Sequence, residues 1–180
     1  VIPAMPLALD AQRRLDERRQ RALARYYSDA GAGGIAVAVH TTQFAIRDPA
    51  VGLFEPVLAL AAEEMDRLDA GRREPLVRVA GVCGPTAQAV REAEAAREHG
   101  YHTALLSLAA LADAGEDALL DHARAVAGVL PVTGFYLQPS VGGRALAYGF
   151  WRRLFDEPGV IAAKIAPFHR YRTLDVLRAA

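Results

Sequence analysis

At 180 residues, 52% hydrophobic and 23% charged, the chain is long enough for one substantial core and has no low-complexity tract. Its 21 basic and 21 acidic side chains are interspersed, which argues against a nucleic-acid binder or a membrane-surface protein. No apolar stretch approaches a transmembrane span, the opening "VIPAMPLALD" lacks the basic region of a signal peptide, and Cys83 is alone, so a cytoplasmic enzyme without disulfides or a cysteine zinc site is expected.

Short apolar runs alternate with amphipathic stretches. "VIPAMPLAL" reads as a first strand, followed by a helix in which Leu15, Ala22, Leu23, Tyr26 and Tyr27 share one face. "GGIAVAVH" reads as a second strand, buried on both faces, and "LFEPVLALAAEEMDRLDAG" as a helix with an apolar stripe from Phe54 to Leu68. "PLVRVAGVCG" is a third strand, and the helix after it has Pro85 suited to its start and Gly100 to its end. The fourth strand is "HTALLSL", the fifth "PVTGFYLQ" and the sixth "VIAAKIA", each followed by a helical pattern that closes with "YRTLDVLRAA".

Six β-then-α units imply a parallel sheet with right-handed crossovers. No GxGxxG or GxxxxGK[ST] follows the first strand, which weighs against an open nucleotide-binding sheet. The pattern favours an α/β fold of the (β/α)8 TIM-barrel type, which needs roughly 250 residues. Residues 1–180 are therefore expected to form a single barrel domain covering about the first six units, truncated at the C-terminus, with strands 7 and 8 missing.

Chemically useful side chains cluster at the carboxyl ends of the expected strands, the face that carries catalysis in parallel α/β folds. His40, Thr41 and Thr42 end the second strand, Tyr136 and Gln138 the fifth, and Lys164 the sixth. Lys164 is the only lysine among 20 arginines, and it lies within the otherwise apolar "GVIAAKIAPF". Alternation places Val160, Ala162 and Lys164 on one side of that strand and Ile161, Ala163 and Ile165 on the other; if Ile161 and Ile165 pack against the helices, Lys164 points into the barrel mouth. A lysine in an apolar barrel mouth suits imine formation, because a free amine must attack a carbonyl carbon. A phenol such as Tyr136 can shuttle protons during loss of water from the carbinolamine. Two adjacent threonines offer hydroxyls and backbone N–H groups to a carboxylate, and His40 beside them is placed to touch the same substrate.

The order of these motifs resembles the dihydrodipicolinate synthase and N-acetylneuraminate lyase family of pyruvate-dependent class I aldolases. The family's "GTTGE" corresponds to "HTTQF", its "YNxP" to "YLQP", and its "IxGIKE"-like sixth strand to "VIAAKIA". The resemblance implies a TIM-barrel lyase in which Lys164 forms a Schiff base with pyruvate or a related 2-keto acid. It makes Tyr136 the proton relay and gives Thr41 and Thr42 the keto acid carboxylate. Aldol addition, cleavage or dehydration would follow, with an aldehyde as second substrate. The imine is then the electron sink, so no metal or organic cofactor is implied, and the expected assembly is a homo-oligomer, tetramer or dimer. Departures point away from lysine biosynthesis. Val141 replaces the arginine of the family's "PSRTG", and "LLSLAALADAG" lacks the tyrosine that usually follows the fourth strand. The alternative reading is a catalytically silent barrel relative that binds a keto acid or serves as a scaffold.

Overall fold

A computed structural model describes residues 1–180. Its elements in chain order are α1 (Glu17–Asp29), β1 (Gly34–Val37), α2 (Phe54–Asp69), β2 (Val77–Val82), α3 (Thr86–Glu98), β3 (Thr103–Leu106), α4 (Glu116–Ala127), β4 (Val132–Leu137), α5 (Tyr148–Phe155), β5 (Val160–Ala166) and α6 (Arg170–Ala179). The strands form one sheet in the order β1-β2-β3-β4-β5 with parallel pairing, the arrangement expected of successive β-then-α units. The first expected strand is reduced to a single parallel bridge, Ala4 to Ala36, flanked by the bonds Met5 N–H to Ala36 O and Ala36 N–H to Pro3 O. Pro3 has no N–H to donate toward β1, and Ala38 leaves the extended geometry at φ 59°, so the ladder does not lengthen.

The chain divides into two compact units, residues 1–81 with 95–102, and residues 82–94 with 103–180. In the first, β1 is buried along its whole length and pairs with β2 from Gly34↔Val77 to Val37↔Ala80. A Cβ at Gly81 would overlap the Ala38 carbonyl, so that approach of backbones requires glycine. Helix α1 is capped by Asp16, whose side chain accepts from Arg19 N–H at 2.9 Å, and it packs on α2.

That packing encloses a charge cluster. Glu64 is only 4% exposed and receives Arg25 at 2.7 Å, Arg67 at 3.0 Å and Arg21 at 3.4 Å. Burial by itself raises the pKa of this carboxyl, and the three guanidinium groups outweigh it, holding the group below its ordinary value of 4.5. A depressed folded value means the contribution is present above about pH 4.5 and is lost as pH falls through the lower, folded value. Glu64→Gln is expected to cost about 1–3 kcal/mol at neutral pH. Thermal melts from pH 7 downward check this: the wild-type advantage over the variant should shrink on acidification, and a constant gap would contradict it.

In the second unit β3, β4 and β5 pair in parallel, and Thr103 and Thr133 join β3 to β4 through their hydroxyls at 2.9 Å. Val132, Gly134 and Tyr136 are buried, while Thr133, Phe135 and Leu137 are half-buried. The buried set faces α5, since a Cβ on Gly134 would lie 3.3 Å from Leu154 and the Tyr136 ring lies 4.9 Å from Trp151. Phe150 packs edge-on to Trp151 and half-buried Phe155 lies beyond it, so Phe150 and Trp151 of α5 are core.

Candidate active site

In the first unit, His40, Thr41 and Thr42 form a 3-10 turn directly after β1, closed by Thr42 N–H to Val39 O and Gln43 N–H to His40 O. Thr42 is buried and its hydroxyl donates to the Met5 carbonyl at 2.6 Å, while exposed Thr41 makes a longer bond of 3.3 Å to the same oxygen. His40 is exposed, with its ring edge-on to Phe44. Gln43 adopts φ 75° and ψ 125°, a conformation that favours glycine and the one strained link in the "HTTQF" segment.

Sequence reasoning missed Arg47. Its guanidinium donates to Ala38 O at 3.0 Å and Gly81 O at 2.8 Å, tying the carboxyl ends of β1 and β2 together. The faces of Phe54 and Phe44 lie 4.8 and 5.7 Å away. The spacing Phe44-x-x-Arg47, with Phe54 seven residues on at the start of α2, was the available signal. It acquires meaning only once the turn folds back over the strand ends.

In the second unit Lys164 is exposed on β5, in register with Phe135, and its Nζ lies 5.0 Å from the centre of that ring. It therefore stands on the face of β4 and β5 opposite to α5. The simple alternation expected for β5 is broken, because Val132 pairs with Val160 and Thr133 with Ala162, leaving Ile161 without a partner. Ile161 is 62% exposed where packing against helices was expected, and Val160 no longer shares the register parity of Ala162 and Lys164.

Tyr136 reaches the expected strand end on the other face. Its ring is 1% exposed against Trp151, and its hydroxyl both donates to Leu146 O and accepts from Leu146 N–H at 3.3 Å. Lys164 and Tyr136 are thus not brought together, and the aromatic beside the amine is Phe135. The reason is period-two alternation: Phe135 pairs with Lys164, so Tyr136 pairs with Ile165 and turns toward α5.

His102 and His122 are structural. His102 Nδ1 accepts from Arg78 N–H at 3.1 Å, and buried His122 pairs Nδ1 with the Thr86 hydroxyl at 2.9 Å, with desolvation pushing its pKa down. No group of three or more His, Cys, Asp or Glu side chains is placed to hold a metal ion, and no helix is long and apolar enough to cross a membrane.

Among solved structures, the chain superimposes on YagE from E. coli, a prophage protein of the dihydrodipicolinic acid synthase family in complex with pyruvate, with a TM-score of 0.82 at 18% identity. The chain has the fold of the dihydrodipicolinate synthases. It matches the enzyme from Aquifex aeolicus with a TM-score of 0.81 at 20% identity, and the chloride-inhibited, pyruvate-complexed enzyme from Acinetobacter baumannii with 0.78 at 20%. Each alignment covers 99% of this chain and 58% of the other. The chain therefore spans well under two thirds of those dihydrodipicolinate synthase structures. No protein-family model and no curated protein matches it.

Against the dihydrodipicolinate synthase pattern, Val141 at the expected arginine position is exposed. Arg144, three residues on, turns its Nη1 to the carbonyls of Leu111, Ala112 and Ala114 at 3.4, 2.9 and 2.6 Å. It clasps the turn after β3. The crevice between that turn, Phe135 and Arg144 holds only about 20 Å³, room for about one water.

Proposed function

We propose that this chain carries the imine-forming half of a class I aldolase-type lyase acting on pyruvate or a related 2-keto acid. The observation that carries the reading is the exposed ammonium of Lys164, the sole lysine, near the carboxyl end of a strand in a dihydrodipicolinate synthase fold. As a free amine, Nζ attacks the keto carbon, and the carbinolamine loses water to give the imine. Loss of a proton from the adjacent carbon gives an enamine that adds to the carbonyl of an aldehyde, and hydrolysis releases the product and the amine. The resemblance gives the keto acid carboxylate to Thr41 and Thr42, with His40 beside them, and within the first unit both hydroxyls donate to the Met5 carbonyl. The pyruvate bound by YagE and the Acinetobacter enzyme supports a small keto acid as ligand. The reaction proposed is not lysine biosynthesis, and a soluble, cytoplasmic homo-oligomer completes the reading. Borohydride reduction in the presence of pyruvate, followed by peptide mapping, tests it: an adduct on Lys164 is expected, and an unmodified Lys164 would end the proposal.

The relay role that the resemblance gives Tyr136 conflicts with its buried position, so in this reading Tyr136 braces Leu146 and Trp151. Tyr136→Phe is expected to cost about 1 kcal/mol in a urea melt. It should leave the rate of imine trapping within a few fold. A relay tyrosine would instead lose about 100-fold or more on the same substitution.

A second reading is favoured by Phe135 beside the amine. No proton-transferring group is in register with Lys164, as suits a silent relative that binds a keto acid or serves as a scaffold. Pyruvate binding by calorimetry with no trapped imine would select it.

A further inference from the structure

A cleft of the first unit is lined by none of His40, Thr41, Thr42, Tyr136 or Lys164. It is open to solvent along one side and has a volume of about 760 Å³ between the hairpin at residues 7–15 and the loop at 43–53. That volume falls in the range of pockets that bury a small organic ligand. Its wall is mostly apolar, built from Leu7, Leu9, Leu15, Ile46, Val51 and Leu53. Val51 is exposed although apolar, and so is neighbouring Phe44, which leaves a greasy rim around the opening.

The polar part of the lining is of one sign. Arg13, Arg14 and Gln43 line the cavity and no acidic side chain does. Arg14 is already engaged by Asp10 at 2.9 Å, whereas Arg13 is exposed and has no acidic partner. Asp10 also accepts from the backbone N–H groups of Gln12 and Arg14, and this turn holds Arg13 at φ 61°. The other non-glycine residue of the wall in the left-handed region is Gln43, at φ 75°. Two such residues on one cavity carry a conformational cost that a functional wall can justify.

We propose that this cavity is a binding site for an amphiphilic carboxylate, with its apolar body against the leucine and isoleucine wall and its carboxylate on Arg13. A guanidinium fork matches a planar carboxylate in a bidentate pair, and the single unpaired arginine matches a monoanion. The site shares no residue with the imine chemistry of Lys164, so its test stands independently of that reading.

Decanoate is the probe. Titrated into the full chain and followed by methyl NMR, it should bind with Kd below about 1 mM and shift signals of Leu7, Leu9, Ile46 and Leu53. Decanol, lacking the charge, should bind about tenfold more weakly, as should decanoate to the Arg13→Glu variant. Arg13 lies on an exposed turn, so this variant is expected to fold. Val51→Trp, filling the cavity from its rim, should abolish the shifts. The proposal is overturned by absence of binding, by equal affinity for decanol and decanoate, by indifference to Arg13→Glu, or by shifts outside the cavity. A self-association that Val51→Trp disperses would also overturn it, since a second copy would then be the occupant.

Discussion

Replacing Lys164 with arginine is expected to remove pyruvate trapping altogether and to leave the fold unchanged. Arginine keeps the charge and the apolar stem, but its guanidinium does not lose its proton near neutrality and cannot form the imine. Loss of a covalent nucleophile lowers turnover by on the order of 10³-fold or more. Stability should scarcely move. Lys164 is exposed, and its contact with the Phe135 ring at 5.0 Å is worth about 0.5–1 kcal/mol, which arginine can reproduce. Mass analysis after borohydride, run beside a urea melt, separates the two effects. Persistence of the adduct in the variant would show that an amine other than Lys164 reacts.

Trp151→Ala is expected to produce the largest loss of stability, about 3–5 kcal/mol, because it empties the centre of the second unit. Trp151 is fully buried among Tyr136, Phe150 and Phe155, with ring centres at 4.9, 5.5 and 6.1 Å. The cavity would also free Tyr136, whose hydroxyl is held only by two 3.3 Å contacts to Leu146. Trp151→Phe should cost much less. The indole Nε1 is buried without a hydrogen-bond partner, so phenylalanine removes a desolvated donor while keeping most of the ring contact. Urea midpoints of the two variants test this, and equal losses would mean that the phenylalanine ring recovers none of the packing lost with Trp151.

Element type and order follow from local pattern. Apolar runs of strand length alternating with amphipathic helices dictate the parallel sheet, and Asp16 starts α1 through a bond to Arg19 only three residues on. The "VIPAMPLAL" run shows the limit of pattern. Its composition suits a strand, but Pro3 on one side and Ala38 at φ 59° on the other leave it one bridge. The position of Lys164 at a strand end was legible for the same local reason.

Which face each side chain takes was decided only in the folded chain. The unpaired Ile161 shifts the parity of β5 against β4, and the register then sets Phe135, not Tyr136, beside Lys164. A motif such as "YLQP" fixes sequence spacing, whereas the facing of Tyr136 depends on the aromatic core of α5, more than ten residues away. Arg47 was invisible for a related reason: its acceptors are backbone carbonyls of two strands, which no residue type announces. From the sequence alone came the units, their order and a lone amine near a strand end. The fold decided the company that amine keeps, because register and long-range packing act between residues that local periodicity cannot relate.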